Sequence, residues 1–584
     1  MLSISSGGLA TGTLVLNGGW ESIGSGGEAN GTTVSSGGTV VVSSGGAATD
    51  TTIGAGGWAE ITASSIISNL AVLSGGTLYL TGSFDPSNTG TFTIASGGTL
   101  LLGPYAPASL SSYTVNAGVT LEVLYQASTA DITIGSGGEV IVDDGSAYFN
   151  DMAANTTVLS GGLLVESSGV ASATTISSGG TFTVEGGVAS ATTVLNGGVE
   201  ILSGSAIGTT VLSGGQEIIV FGASSATTVA AGAVQIVSSG AWAYATMVQS
   251  GGLEIARGAV SGSVVLGGGQ MIVSSGGYAM RPTVSSGGTL VVLSGAVEGG
   301  LAPPEGPVTQ GWTVGATILG GGTEIMQGTG SGALVSSGGL QVVDNGGTAI
   351  DTILTSGAVQ IVSSGGLVIS TNWANTNTNG SGGEIIVSNG GTASGGLIAS
   401  GTVEIVSSGG TAIGDLVISG GLERVQSGGL ATGTDFYGGT LEVASGGQVG
   451  GAVTFGVNSG GSTLILDAGA NFQGLVLADF GTIPHGLGLY DKPDQIDLEG
   501  IAFGTSKQSS AKVSFTEAAS NLSGTLTVTD GVHTANIALL GQYIASEFAV
   551  SNDGHGGTLI TFTSATSTTG GHGHGNVIAS PVTL

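Results

Sequence analysis

The sequence predicts an all-β fold: a parallel β-helix (β-solenoid) of about 19 residues per turn, followed by a small C-terminal β-rich domain. Three observations carry this. Glycine pairs begin at Gly7, Gly18, Gly26, Gly37, Gly45 and Gly56, so steps of 11 and 8 alternate and two steps close a period of 19. The beat persists at Gly161, Gly179, Gly197 and Gly214, and again at Gly390, Gly409, Gly428 and Gly446. Between the pairs lie short β-branched runs such as Thr39-Val40-Val41-Val42 and Val359-Gln360-Ile361-Val362, too short for helices. A fixed period of this length means one supersecondary unit stacked many times.

Each element follows from its residues. The β-branched runs read as strands, and Ser-Ser-Gly-Gly reads as the corner, because glycine takes positive φ without a Cβ clash. Successive turns then pair as a parallel ladder at roughly 4.8 Å, with about 24 turns expected over residues 1–475. The general rule for parallel crossovers predicts a right-handed coil. One turn buries five or six aliphatic side chains at roughly 1.5–3 kcal/mol each. Ordering its backbone costs about 1–2 kcal/mol per residue, so stability requires neighbouring turns that share core and ladder. Three segments interrupt the beat, at residues 103–116, 299–313 and 371–382, and are expected to leave one face as loops. Their aromatics Tyr105, Tyr113, Trp312 and Trp373 are candidate stacking groups for sugar rings, the alternative being variable corners without a ligand.

Beyond residue 475 the composition changes: all three lysines (Lys492, Lys507, Lys512) and all five histidines lie there. Residues 476–563 are expected to form the C-terminal β-rich capping or secretion domain, with a short helix over Ser514–Ala519. Residues 564–584 read as a flexible Gly/Ser/Thr/His tail.

Lys plus Arg number 6 against 37 Asp plus Glu, a net charge of −31. Such a surface does not neutralise phosphates, which argues against nucleic acid and anionic lipid as partners. The mean hydropathy of +0.45 comes from the strand aliphatics. No uninterrupted apolar stretch reaches the length of a transmembrane segment. There is no cysteine, which fits a protein exported unfolded. Met1–Gly8 already reads as a repeat, without the basic and apolar regions of a signal peptide. Export information is therefore expected at the C-terminal end or in a segment preceding this sequence.

The unit Ser35-Ser36-Gly37-Gly38-Thr39-Val40-Val41-Val42-Ser43-Ser44-Gly45-Gly46 and its copies resemble the strand-loop-strand stalk repeats of autotransporter passengers of the diffuse-adherence adhesin type. The resemblance implies a parallel β-helix outside the cell, with a role in adhesion, autoaggregation or biofilm. Tyr490–Leu498 and Asp553–Leu559 resemble C-terminal regions of type I secreted bacterial proteins, which implies a secretion machinery as partner and an uncleaved C-terminal signal. The tandem Gly-Gly-x-Gly-x-Asp array common there is absent, and no set of long alternating strands for a membrane barrel is present.

Several constellations bear on chemistry. Asp491, Asp494 and Asp497, with Asp553, are candidate calcium ligands; the alternative is a solvated turn before a strand. Glu200, Glu217, Gln235, Glu254, Glu324, Gln341, Gln360, Glu384, Glu404, Glu423 and Glu442 align from turn to turn. With aliphatics inward, this stripe is expected to face solvent, as a hydrated acidic face or a weak calcium-binding one. Thr-Thr pairs from Thr156-Thr157 to Thr227-Thr228 repeat at 17 to 18 residues and should present one outward hydroxyl per strand, unsuited to ice. Arg257, Arg281 and Arg424 are the basic residues of the repeats, which contain no histidine. No nucleophile–base pair is visible, so the chain is expected not to be an enzyme.

The reading is a secreted or bacterial cell-surface structural protein, a rod-like adhesive stalk. Its partners would be host or bacterial surface glycans or proteins, or further copies of itself. The alternative is an extracellular glycan-binding or polysaccharide-degrading β-helix protein.

Overall fold

The two glycines of a pair do different work at the same corner. Gly251 sits at φ +75°, a conformation that costs a side chain, whereas a Cβ on Gly252 would lie 2.5 Å from the Val229 carbonyl oxygen of the preceding turn. The first glycine bends the chain and the second lets adjacent turns close. In the computed structural model, this corner recurs along a parallel β-solenoid of about 22 turns with about 19 residues per turn. The structure describes residues 1–84, 92–103, 109–124, 126–143, 152–295, 297–298, 315–373, 382–456, 461–478, 493–504 and 511–562.

The chain divides into two units, residues 1–361 with 365–368, and residues 362–364 with 369–584. In the first unit a typical turn has three strands, for example Val234–Val237, Trp242–Tyr244 and Met247–Val248. These define three faces, each a parallel ladder to the same strand of the next turn. The register advances by one period per turn, as in Trp20↔Thr39↔Trp58↔Thr77. Two corners carry glycine, but the third is one residue in the left-handed region, Ala226 (φ 56°) or Ala245 (φ 51°) in some turns and Gly208 (φ 72°) or Gly414 (φ 69°) in others, so glycine marks it only in part. Inward side chains of this turn are Gln235, Val237, Ala243, Thr246 and Val248, all buried.

Within the second unit, parallel ladders give way to antiparallel pairing towards the C-terminal end. Thr463–Leu466 pairs in parallel with Gln495–Leu498, on which Thr558–Phe562 and then Phe548–Asn552 lie antiparallel. On another face Leu475–Ala478 pairs in parallel with Thr534–Leu540, which continues antiparallel to Ser523–Thr529 and Lys512–Glu517. Val476, Leu498, Leu526, Leu539 and Ile560 share one core with the turns from Ile398 onward. The short helix expected over Ser514–Ala519 is instead the strand Lys512–Glu517 and the turn after it. Val513 and Phe515 alternate with polar residues at the strand period, and Phe515 packs edge-on to Tyr543 at 5.6 Å.

Candidate functional site

The strongest surface feature lies on the second face of the first unit. Ala223–Ser225, Trp242–Tyr244, Ala259–Ser261 and Tyr278–Met280 are consecutive strands in register, with Ala223↔Trp242↔Ala259↔Tyr278 and Ser225↔Tyr244↔Ser261↔Met280. Large and small outward residues therefore alternate, leaving Ala259 and Ser261 as a floor between bulky strands two ladder spacings, roughly 9.6 Å, apart. The Trp242 and Tyr244 rings stack at 5.8 Å between centroids and 8° between planes. Phe221, at the corner before Ala223, is 72% exposed and Tyr244 is 42% exposed. Partial burial pushes the Tyr278 phenol above its usual pKa.

The charge of this face differs from that of the chain as a whole. Residues 186–297 contain three acids, Glu200, Glu217 and Glu254, and all three are buried inside the solenoid. The same stretch carries Arg257 and Arg281, both exposed. Arg257 stands at the corner before Ala259, and Arg281 (φ 50°) follows Met280 at the opposite end of the strands. An aromatic face with two guanidinium groups and no exposed carboxylate thus sits in a strongly acidic protein.

The acidic stripe is a correction. Glu200, Glu217, Gln235 and Glu254 in four successive turns, and Glu324, Gln341, Gln360, Glu404 and Glu423 elsewhere, point inward and are fully buried; Glu384 and Glu442 alone of the set lie outward and half-buried. The inward fourth residue of each strand (Leu202, Ile219, Val237, Ala256) fixes the parity, so the second residue is also inward whatever its chemistry. Outward aliphatics such as Val199 and Ile201 are half-covered by neighbours in the ladder. A solvent-facing carboxylate stripe open to calcium does not exist at these nine positions.

Hydroxyls from the other side of the turn each meet one side-chain oxygen of this interior ladder, while Glu200 Oε1 and Glu254 Oε2 are left without a partner. Thr209 donates to Glu200 at 3.1 Å, Ser224 to Glu217 at 2.8 Å, Thr246 to Gln235 at 3.0 Å and Ser263 to Glu254 at 3.1 Å. Along the stack, Gln235 Nε2 donates to Glu217 at 2.6 Å, Gln341 to Glu324 at 2.8 Å and Gln360 to Gln341 at 2.6 Å. Burial, then the Glu217 carboxylate, pushes Glu200 up to about 8; burial pushes Glu254 up to about 7. Gln235→Glu would remove the amide donor and seat a third carboxyl between Glu217 and Glu254. It is expected to lower the melting temperature, more at pH 8 than at pH 5, in thermal scans followed by circular dichroism. An equal loss at both pH values would contradict this.

No family model matches the chain. No curated protein matches it either. Among solved structures it is similar to the TibC-catalyzed hyper-glycosylated TibA55-350 fragment, at 25% identity over 65% of this chain and 99% of that one, with a TM-score of 0.29. It is also similar to the Azotobacter vinelandii mannuronan C-5 epimerase AlgE4 A-module, at 10% identity over 73% and 90%, with a TM-score of 0.11.

The residues singled out in the sequence are scattered. Tyr105, Trp312 and Asp491 lie outside the described residues. Tyr113 stacks on Phe92 at 5.5 Å, and burial pushes its phenol up to about 12. Trp373 is half-buried. Asp494 accepts the N–H of Ser462, from the preceding turn, at 2.9 Å. Asp497 and Asp553 do approach: burial, with Asp553 adding repulsion, pushes Asp497 up to about 6. Asp553 accepts backbone N–H groups of His555, Gly556 and Gly557 and lines an open cleft of about 230 Å³ with Glu499, His533 and His555. Among the described residues no three acidic or histidine side chains converge to hold a metal ion. Arg424 places Nε and Nη2 on Glu442 Oε2 at 3.0 and 2.8 Å. The Thr-Thr pairs have Thr156, Thr174, Thr192, Thr209 and Thr227 buried and their partners outward. Sequence reading missed the Trp242 face, although an aromatic pair two residues apart, beside two of six basic residues, was the available signal.

Proposed function

We propose that this chain is a secreted or cell-surface structural protein whose solenoid serves as a stalk and whose second face, around residues 221–281, makes adhesive contact. The observation that carries the reading is the aromatic set of exposed Phe221 and Tyr244 with half-buried Trp242, in a stretch (residues 186–297) whose carboxylates are all buried. Contiguous exposed apolar groups of this kind mark interaction sites. The resemblance of the repeats to adhesin stalks supports the same reading. The role read here is non-catalytic, and the pairing of Arg424 with Glu442 is in keeping with that reading.

The test is retention of labelled full-length protein on intact bacterial and epithelial cells. The double variant Trp242→Ala/Tyr244→Ala is expected to reduce retention at least tenfold while its melting temperature stays within a few degrees of wild type, because both rings lie outside the core. Unchanged retention would remove this face from the function.

A further inference from the structure

We propose that the Trp242 face binds an acidic saccharide, with Arg257 and Arg281 receiving its carboxylates and the stacked Trp242–Tyr244 pair receiving its sugar rings. The proposal rests on the adhesive reading of this face and names its ligand class.

Four features of the face point to this chemistry. Guanidinium groups present a planar fork that takes a carboxylate through two parallel N–H donors, and both arginines are exposed. They stand at opposite ends of the strands Ala259–Ser261 and Tyr278–Met280, on the order of 15 Å apart along the backbone, with the aromatic groups beside that path. Aromatic rings offer an apolar face to the C–H side of a pyranose, and the Trp242 and Tyr244 rings lie nearly parallel at 5.8 Å. The floor between the bulky strands includes Ser261, a hydroxyl suited to sugar hydroxyls, and Ala259, which leaves room for a ring.

Charge selects this occupant over other polyanions. The acids of residues 186–297 are all sequestered in the interior, so the face is locally positive on a chain of net charge −31. Nucleic acid carries one charge per about 1.7 Å and would meet long-range repulsion that two arginines do not offset. A second copy of this chain meets the same repulsion. A uronic-acid or sialylated oligosaccharide carries at most one carboxylate per ring, a lower charge density than nucleic acid, and two of those carboxylates are taken by the two guanidinium groups.

The test uses the full chain and three probes in titration calorimetry: an oligogalacturonate, a neutral galacto-oligosaccharide of equal length, and a single-stranded oligonucleotide. Expected are binding of the oligogalacturonate that weakens with salt, at least tenfold weaker binding of the neutral sugar, and no binding of the oligonucleotide. Arg257→Gln/Arg281→Gln is expected to lower affinity for the acidic sugar tenfold or more, with the melting temperature unchanged because neither side chain is buried. Equal affinity for neutral and acidic sugars, or an arginine double variant that binds as wild type, overturns the acidic-saccharide proposal and leaves the adhesive face standing. Oligonucleotide binding as tight as that of the uronate also overturns it, in favour of nonspecific polyanion capture. Wild-type cell retention by the Trp242/Tyr244 variant removes the face, and this proposal with it.

Discussion

Asp415→Asn is expected to raise the melting temperature of the second unit, with a gain that grows from pH 5 to pH 8. In the interior ladder a strand Glu or Gln meets a hydroxyl seven to eleven residues further on, as Glu423 meets Thr434 at 3.0 Å. In one turn this grammar changes: the residue eleven after Glu404 is Asp415, a carboxyl in place of a hydroxyl. Glu404, Asp415 and Glu423 are all buried, and both Glu404 oxygens, Asp415 Oδ2 and Glu423 Oε1 have no hydrogen-bond partner. Burial pushes Asp415 up to about 7; burial, with Asp415 adding repulsion, pushes Glu423 up to about 8 and Glu404 well above its usual range. The groups facing Asp415 are Glu404 and Glu423 from the first face and the Gly396 N–H, which donates to Oδ1 at 2.7 Å. Asparagine keeps that acceptor, removes the charge and offers Nδ2 to the unpartnered Glu404 oxygens.

The sign follows from proton linkage. An unfolded aspartate ionises near pH 3.9, and the folded one only near 7. Between these values the unfolded chain binds fewer protons, so stability falls as pH rises, and the penalty is complete above the folded pKa. A shift of this size corresponds to a ceiling on the order of 4 kcal/mol at pH 8, shared among three interacting acids. Thermal scans from pH 5 to pH 8 should show the wild type losing more stability than the asparagine variant. Parallel pH slopes for the two proteins would refute the assignment.

How much of this was legible beforehand depends on which residues carried periodic information. The glycine pairs reported two corners and the period, because one glycine of each pair is needed for φ and the other for close approach, as at Gly251 and Gly252. The third corner was marked only in part, since single glycines such as Gly208 and Gly414 alternate there with Ala226 and Ala245, which adopt left-handed geometry without a glycine. The glutamate ladder was misread by a general rule, aliphatic inward and charged outward, that a narrow solenoid does not obey. Its neighbours half-cover Val199 and Ile201 on the outside, while Thr209 and Ser263 hydroxyls and the neutral acid form make Glu200 and Glu254 tolerable inside. The aromatic face was present in the sequence as Trp242, Tyr244, Arg257, Tyr278 and Arg281, but only the ladder register brings their strands side by side.

Gly222→Ala is expected to open the solenoid beside that face. Gly222 links the exposed Phe221 to the strand Ala223–Ser225, and a Cβ there would stand 1.7 Å from the Gly204 carbonyl oxygen and 2.7 Å from its carbon. The obstacle is backbone, so no rotamer change relieves it. The turns can separate only by losing ladder bonds, Ala223 N–H to Gly204 O at 3.0 Å and Trp242 N–H to Gly222 O at 3.1 Å. Overpacking costs about 1–3 kcal/mol and occasionally more, and an obstacle made of backbone puts this site at the upper end. Gly208→Ala is the matched control: it has φ +72° with nothing within 4 Å of the added Cβ, so only left-handed strain of about 1–2 kcal/mol applies. Because each solenoid turn is held by its nearest neighbours, the loss should be local. Hydrogen exchange should show protection falling across residues 204–245 in Gly222→Ala, with the turns around residues 99–124 unchanged, and little change in the control. The same variant should weaken cell retention, since the strand that holds Phe221 next to Trp242 is the one displaced. Equal protection in the two variants would mean that turns can part here without cost, and that close backbone approach is not what Gly222 secures.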